Sequence, residues 1–308
     1  MDYVAAFPQA PCEWELYMKI PKGVTLKGKS SEAYVLKLHK NTYGQKNAGR
    51  VWNDYLVAKL KKIGFKQSSI DRCVFYKGKG MYAVYTADSI LAGPCPKEID
   101  NIMAQMRKVN LDITEEGTLE DFLGVNIDRR KDGTIHLTQP LLIDSILKDL
   151  NLLGPGVKTR DIPACSSRIL KQHSDSESFD KSFNYRSVIG KMNYLERGSR
   201  SDISYAVHQC ARFCSDPKKE HGQAIKWLGR YLLETRDKGT ILKPKMDKEL
   251  EVYVDADFAG NFDPKDTLSR DTARSRNGYF VMYKTCPLSW KSQLQTEICL
   301  STTESEYT

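Results

Sequence analysis

The chain reads as an α+β fold, and three patterns point that way. Two short runs of β-branched and aromatic residues, Tyr82–Thr86 and Ser89–Ala92, flank a polar step at Ala87-Asp88 and predict two strands joined by a tight turn. Trp52, Tyr55, Leu56, Leu60 and Ile63 follow helical spacing, with Gly64 just past the end. Further on, helical patterns at Tyr185–Leu195, Asp202–Phe213 and Lys218–Leu233 precede strand patterns beginning at Glu251, Gly278 and Leu288. Runs of strands and runs of helices in separate stretches mark the α+β class.

Composition narrows the function classes. A chain of 308 residues is long enough for two or three compact domains. A hydrophobic content of 40% and a charged content of 28% fit a folded globular protein, not a disordered one. No apolar run approaches a membrane span, so no membrane partner is expected. The N-terminus lacks a basic-then-apolar signal pattern, which predicts an intracellular protein, cytoplasmic or nuclear. The 8 cysteines are scattered, which fits a reducing compartment. The net charge of +8 leans toward a polyanionic partner, although such a charge also serves solubility.

In chain order, Asp2 sits where a first strand would run into Phe7. Trp14, Leu16, Met18 and Ile20 alternate with polar neighbours and predict a half-buried strand, stopped by Pro21-Lys22-Gly23. Tyr34–Leu38 predicts its neighbour. Lys46 and Arg50 are i,i+4 and would share one helix face, where by themselves they read as solvated surface charges. The glycines of Lys77-Gly78-Lys79-Gly80 are turn residues and not a phosphate loop, because no helix start follows. Asp88 reads either as a metal-binding carboxylate at a hairpin tip or as a turn aspartate bonded to its own backbone. Ile99, Ile102, Met103, Met106 and Val109 form a helical stripe of core residues. A turn at Lys131-Asp132-Gly133, a strand Thr134–Thr138 and a helix Gln139–Leu150 complete a first domain, 1–150. Gly154-Pro155-Gly156, Pro163 and the Ser174–Ser178 run suggest a linker over 151–182, followed by a helical segment, 183–246, and a last domain, 247–308. His208, Cys210, Cys214 and His221 match no usual zinc spacing, and Cys210 and Cys214 read as small core residues on one helix face.

Several of these stretches resemble the reverse transcriptase of copia-type retrotransposon Pol polyproteins. Met1-Asp2-Tyr3-Val4-Ala5-Ala6-Phe7 is similar to M-D-V-x-x-A-F, and Tyr43 to Trp52 to L-Y-G-L-K-Q-A-x-R-x-W, with Gln45 and Asn47 as departures. Gly64-Phe65 to Phe75 resembles G-F-x-x-S-x-x-D-x-C-x-F, and Leu123-Gly124 the F-L-G element. Tyr85-Thr86-Ala87-Asp88 resembles the Y-V-D-D hairpin, with Ala87 in place of the first aspartate. Tyr185 to Val207 matches the connection region. Val254 to Gly260, Ser289-Trp290-Lys291-Ser292 and Ser301 to Tyr307 resemble S-D-A-D-W-A-G, S-W-x-S and S-S-T-E-A-E-Y of the RNase H part.

The resemblance implies a partial reverse-transcriptase palm and thumb with most of the fingers missing, a helical connection, and the opening part of an RNase H fold. It implies RNA-directed DNA polymerase chemistry with two Mg²⁺ ions. Asp2 and position 87 would be the main polymerase ligands and Asp88 a lesser one, while Asp255 and Glu306 would be RNase H-type acids. Lys46, Arg50, Leu123 and Gly124 would lie against an RNA/DNA hybrid or duplex. A methyl at 87 offers no lone pair, so the chain is expected to be a catalytically degenerate fragment with impaired Mg²⁺ binding. The alternative is a retained, non-catalytic nucleic-acid-binding protein. The RNase H part is expected to lack its third and fourth acids, and its last helix to be too short to persist beyond Glu306.

Overall fold

The structure, a computed structural model, describes residues 1–24, 33–165, 169–172, 176–267 and 269–308. Part of the predicted Ser174–Ser178 run therefore lies outside the described residues. The chain divides into two compact units, Met1–Leu119 and Glu120–Thr308. Among the described residues no helix is long and apolar enough to cross a membrane.

The first unit contains β1 (Asp2–Tyr3), α1 (Ala6–Gln9), β2 (Pro11–Lys19), β3 (Val35–Lys40), α2 (Ala48–Lys62), β4 (Lys66–Gln67), β5 (Val74–Lys77), β6 (Gly80–Tyr85), β7 (Asp88–Ala92), α3 (Pro96–Lys108) and β8 (Ile113–Thr114). Its 6-stranded sheet has the order β4-β5-β6-β7-β1-β8. Helices α2 and α3 cover one face of it. The reason lies in spacing: Trp52, Leu56 and Leu60 recur every fourth residue along α2 and are buried, as are Ile102, Met103 and Met106 of α3. They share one core with Phe75 and Tyr82, which face each other across β5 and β6. Gly64 adopts φ +91 just after α2, and Phe65 N–H donates back to Leu60 O at 3.0 Å, so the chain turns and Phe65 enters the same core.

Two expectations fail in this unit. The first strand does not run to Phe7: β1 ends at Tyr3 and Phe7 lies in the short helix α1. The β2 strand forms, but it is not half-buried. Among the described residues it pairs only with β3, and Trp14, Tyr17 and Met18 are exposed. Alternation in the sequence records two faces but does not say that a second layer covers one of them.

The second unit contains β9 (Asp121–Phe122), β10 (Val125–Arg129), β11 (Ile135–Thr138), α4 (Pro140–Asp149), α5 (Tyr185–Gly198), a 3-10 turn at Ser201–Ile203, α6 (Ser204–Ala211), α7 (Lys219–Glu234), β12 (Thr240–Leu242), β13 (Leu250–Ala256), α8 (Arg270–Ala273), β14 (Arg276–Tyr283), β15 (Cys286–Leu294) and α9 (Thr302–Tyr307). A 4-stranded sheet runs β12-β11-β10-β9, and a 3-stranded antiparallel sheet runs β13-β14-β15. Ile143, Ile146 and Leu147 of α4 share one core with Val188, Met192 and Leu195 of α5, Val207 of α6 and Leu228 of α7. Residues 120–150 thus belong by packing with the helices that follow them. The predicted linker contributes as well: Leu152 sits in this core, and Val157, Ala164, Leu170 and Phe179 pack against it.

The predicted helix Asp202–Phe213 is shorter and is preceded by the 3-10 turn. The strand β13 has both faces open: Val252, Tyr253 and Val254 are all exposed, so its alternation does not separate a buried side from a wet one.

Candidate active site

The β6–β7 hairpin closes through the two residues Thr86 and Ala87, because Tyr85 pairs with Asp88. The predicted polar step is therefore displaced by one: Asp88 is the first residue of β7, not a turn residue. Thr86 has φ 58, a left-handed conformation that is uncommon for a β-branched side chain. Trp52 Nε1–H donates to Thr86 O at 2.9 Å and pins this loop to α2. The Ala87 methyl is half-buried against the core of the first unit.

Strand β1 completes the site from the side. Ser89 donates to Met1 O through both its N–H (3.1 Å) and its Oγ–H (3.0 Å), and this registers Asp2 opposite Asp88. Tyr3 and Ser89 are buried. Side chains alternate along a strand, so their neighbours Asp2 and Asp88 lie on the other face. On the core side the Tyr3 and Tyr82 hydroxyls are 2.5 Å apart. Burial pushes the Tyr82 phenol up to about 12 and the Tyr3 phenol well above its ordinary range, so both stay protonated.

Chemically this is a pair of carboxylates and no more. Asp2 Oδ1 already accepts the Tyr3 N–H at 2.7 Å, and Ala87 supplies no donor. Among the described residues no group of three or more His, Cys, Asp or Glu side chains is placed to hold a metal ion. Mg²⁺ asks for near-octahedral oxygen ligation, and a two-ion site asks for it twice. Ala87 thus leaves Asp2 and Asp88 as the carboxylates this hairpin site offers among the described residues.

The predicted nucleic-acid contacts fare unevenly. Lys46 precedes α2, whose N-cap is Asn47, so it does not share a helix face with Arg50. Arg50 forms ion pairs with Glu13 and, at 3.2 Å, with Asp54. The Glu13 carboxylate raises the Arg50 guanidinium above its ordinary value. Leu123 (φ 52) and Gly124 (φ 73) form the tight turn between β9 and β10, where Leu123 O accepts from Tyr194 Oη–H at 2.5 Å. They lie in the second unit, whereas Asp2, Asp88, Lys46 and Arg50 lie in the first.

Asp255 is exposed on β13 opposite Gly278, and Glu306 is exposed on α9. The last helix, expected not to persist, does form. Its cap explains it: Ser301 Oγ accepts from Glu304 N–H at 3.1 Å, and Glu304 Oε2 accepts from Leu300 N–H at 2.6 Å. Cys210 sits in the helical core with its thiol pushed up to about 12 by burial, and Cys214 packs beside it, which accounts for both without a metal.

Sequence reasoning missed two arrangements. One is the buried Arg200, which donates to both oxygens of Asp202 and to Thr235 O at 2.8 Å. The other is the buried Arg276 beside His208. No periodic signal separates a buried arginine from a surface one. Only their position beside core helices would have hinted at it.

Residues 1–165 match the family described as reverse transcriptase (RNA-dependent DNA polymerase). The whole chain aligns with a retrovirus-related Pol polyprotein from transposon RE1 of Arabidopsis thaliana at 33% identity, over 20% of that protein. It also aligns along its whole length with the Pol polyprotein from transposon TNT 1-94 of Nicotiana tabacum, at 29% identity over 23% of that protein. A transposon Ty5-1 protein of Saccharomyces cerevisiae is 28% identical and is matched over 97% of its length. The chain spans about a fifth of the length of the Pol polyproteins it matches.

Proposed function

Because the chain belongs to the reverse transcriptase (RNA-dependent DNA polymerase) family, we propose that it is a catalytically degenerate segment of a retrotransposon Pol polyprotein that holds nucleic acid without extending it. One observation carries this reading. The hairpin places Asp88 opposite Asp2, but the residue between Thr86 and Asp88 is Ala87, so the carboxylate that would complete the ligand set is a methyl group. The first unit is read as palm, with the thumb-like part reaching residue 150, and residues 183–246 as the connection. The strand order β13, β14, β15 followed by α9 supports an RNase H-like reading of residues 247–308, with Asp255 and Glu306 as its acids.

What remains is electrostatic attraction. The net charge is +8, and the partner is an RNA/DNA hybrid or other duplex held through its phosphates. The structure narrows which cations are available. Arg50, Lys191 and Arg200 are held in ion pairs, whereas Lys46 and Arg197 are exposed. The test is a salt titration of binding to a template–primer hybrid in the presence of Mg²⁺ and nucleotides, with primer length read in the same samples. The expected outcome is sequence-independent binding on the order of 10⁻⁴–10⁻⁶ M with an unchanged primer. Its log–log salt slope should be several units, at about −0.9 per phosphate neutralised. Lys46→Glu should weaken binding more than Lys245→Glu. A slope near one, or equal effects from the two variants, would remove the binding half of the proposal.

A further inference from the structure

Strands β2 and β3 form a ribbon with two unlike faces. Tyr17 stands opposite Lys37, Leu16 opposite Leu38 and Met18 opposite Leu36. Side chains alternate along a strand, so Glu15, Tyr17 and Lys37 point to one side, and Trp14, Leu16, Met18, Leu36 and Leu38 to the other. The first side is closed on itself. Glu15 accepts from Lys37 Nζ and from Tyr17 Oη at 2.6 Å, and the Lys37 ammonium lies 5.9 Å from the centre of the Tyr17 ring. These bonds, that from Lys37 first, hold the Glu15 carboxyl below its ordinary range. The second side is apolar and open. Trp14 is 62% exposed, Met18 37% and Leu36 38%, while Leu16 and Leu38 lie half-buried between them. The next cation along β3 on this side, Lys40, is turned away and donates to Gln9 O at 2.9 Å.

A two-stranded ribbon with an uncovered apolar face is marginal in water. Contiguous apolar patches of several hundred Å² mark contact surfaces. Whatever covers this one must bring no charge, because an ion set against Trp14, Met18 and Leu36 would lose its water without gaining a partner. An identical face meets that condition, since a two-fold axis sets like against like. Area points the same way. At these exposures the five side chains offer on the order of 400 Å². Two ribbons stacked about 10 Å apart would remove roughly 800–1,000 Å² from water with their rims, the low end of specific interfaces.

We infer that the Trp14–Leu36 face of the β2–β3 ribbon is the contact surface of a homodimer, in which two copies of this chain pack their ribbons face to face. At that area the association is weak, with a Kd on the order of 10⁻⁵–10⁻⁶ M. The net charge of +8 makes the copies repel one another, whereas the contact itself is apolar. Salt screens the repulsion, so association tightens as ionic strength rises. That is the opposite of binding through phosphates, which weakens with salt. The inference depends neither on Ala87 nor on the nucleic-acid reading, and each can fail without the other.

The test is sedimentation velocity of the full chain, without nucleic acid, from roughly 1 to 100 μM at low and at high salt, a range that brackets the expected affinity. The expected result is a reversible monomer–dimer equilibrium that shifts toward dimer with salt. Trp14→Gln/Leu36→Gln, which changes no charge, should weaken it about tenfold or more. Val35→Gln, at an exposed position on the reverse side of the ribbon, should leave it unchanged. Should the double variant not unfold cooperatively, Met18→Gln decides and should weaken the dimer several-fold. A monomer at every concentration and salt would overturn the inference. So would association that weakens with salt, species that grow beyond the dimer through open strand edges, or equal losses from the Trp14/Leu36 and Val35 variants.

Discussion

Asp2 and Asp88 stand directly opposite each other on the antiparallel strands β1 and β7, on the face of the sheet away from Tyr3 and Ser89. Like charges in that position repel. A bound dication would turn the repulsion into attraction, but the loop beside them presents Ala87 and the ligand set stays at two carboxylates.

A stability consequence follows. Removing one charge with Asp88→Asn should stabilise the chain by about 0.2–1 kcal/mol. The gain should be larger at low than at high ionic strength, because salt screens exposed charges. Urea unfolding at two salt concentrations measures it. A destabilised Asp88→Asn protein would mean that the pair is already neutralised by something else.

Arg200 gives the opposite sign. Its guanidinium is buried and donates to Asp202 and to Thr235, and Tyr231 Oη–H completes the set by donating to Asp202 at 2.7 Å. Arg200→Ala removes the charged hydrogen bonds to Asp202 and Thr235, and because the Asp202 side chain is itself 40% exposed the cost should be about 1–3 kcal/mol. Arg200→Lys should recover only part, since an ammonium cannot reproduce the fork. Because the side chain is 1% exposed, it is expected to add nothing to duplex affinity in protein that remains folded. Denaturant midpoints and binding measured on the same preparations separate the two roles.

The half-buried His208 and the buried His221 predict the acid side of the stability curve. Burial lowers the pKa of His208 from its ordinary 6.5 to about 4, and burial likewise lowers that of His221. A depressed histidine takes up its proton more readily in the unfolded chain. The stability it contributes is therefore fully present above about 6.5 and is lost as pH falls toward the folded value near 4. For His208 the loss is on the order of 1–3 kcal/mol. Unfolding midpoints between pH 7 and pH 4 should fall, and His208→Asn, which keeps an acceptor for Arg276, should flatten the curve. A midpoint unchanged over that interval would contradict the assignment.

Much of the fold was legible because its signals are local. The spacing of Trp52, Leu56 and Leu60 specified α2, and the β-branched runs around Thr86-Ala87 specified the hairpin. What was not legible depends on partners distant in sequence. Alternation at Trp14–Met18 could not reveal that, among the described residues, β2 has only β3 beside it. The i,i+4 spacing of Lys46 and Arg50 presumed a helix that in fact begins two residues after Lys46. Arg50 itself is engaged by Glu13, which lies 37 residues away. At the candidate site the sequence identified Asp2, Ala87 and Asp88 through resemblance. The register that opposes Asp2 to Asp88 is set by the bonds from Ser89 to Met1, which no pattern announces.

The central claim is that the hairpin carrying Ala87 does not support nucleotidyl transfer. It is tested most directly by single-nucleotide incorporation into a labelled primer on an RNA template, at saturating protein with Mg²⁺. The account predicts product no greater than in protein-free controls for the chain as it stands. Mg²⁺-dependent incorporation that disappears on Asp2→Asn or Asp88→Asn would contradict it.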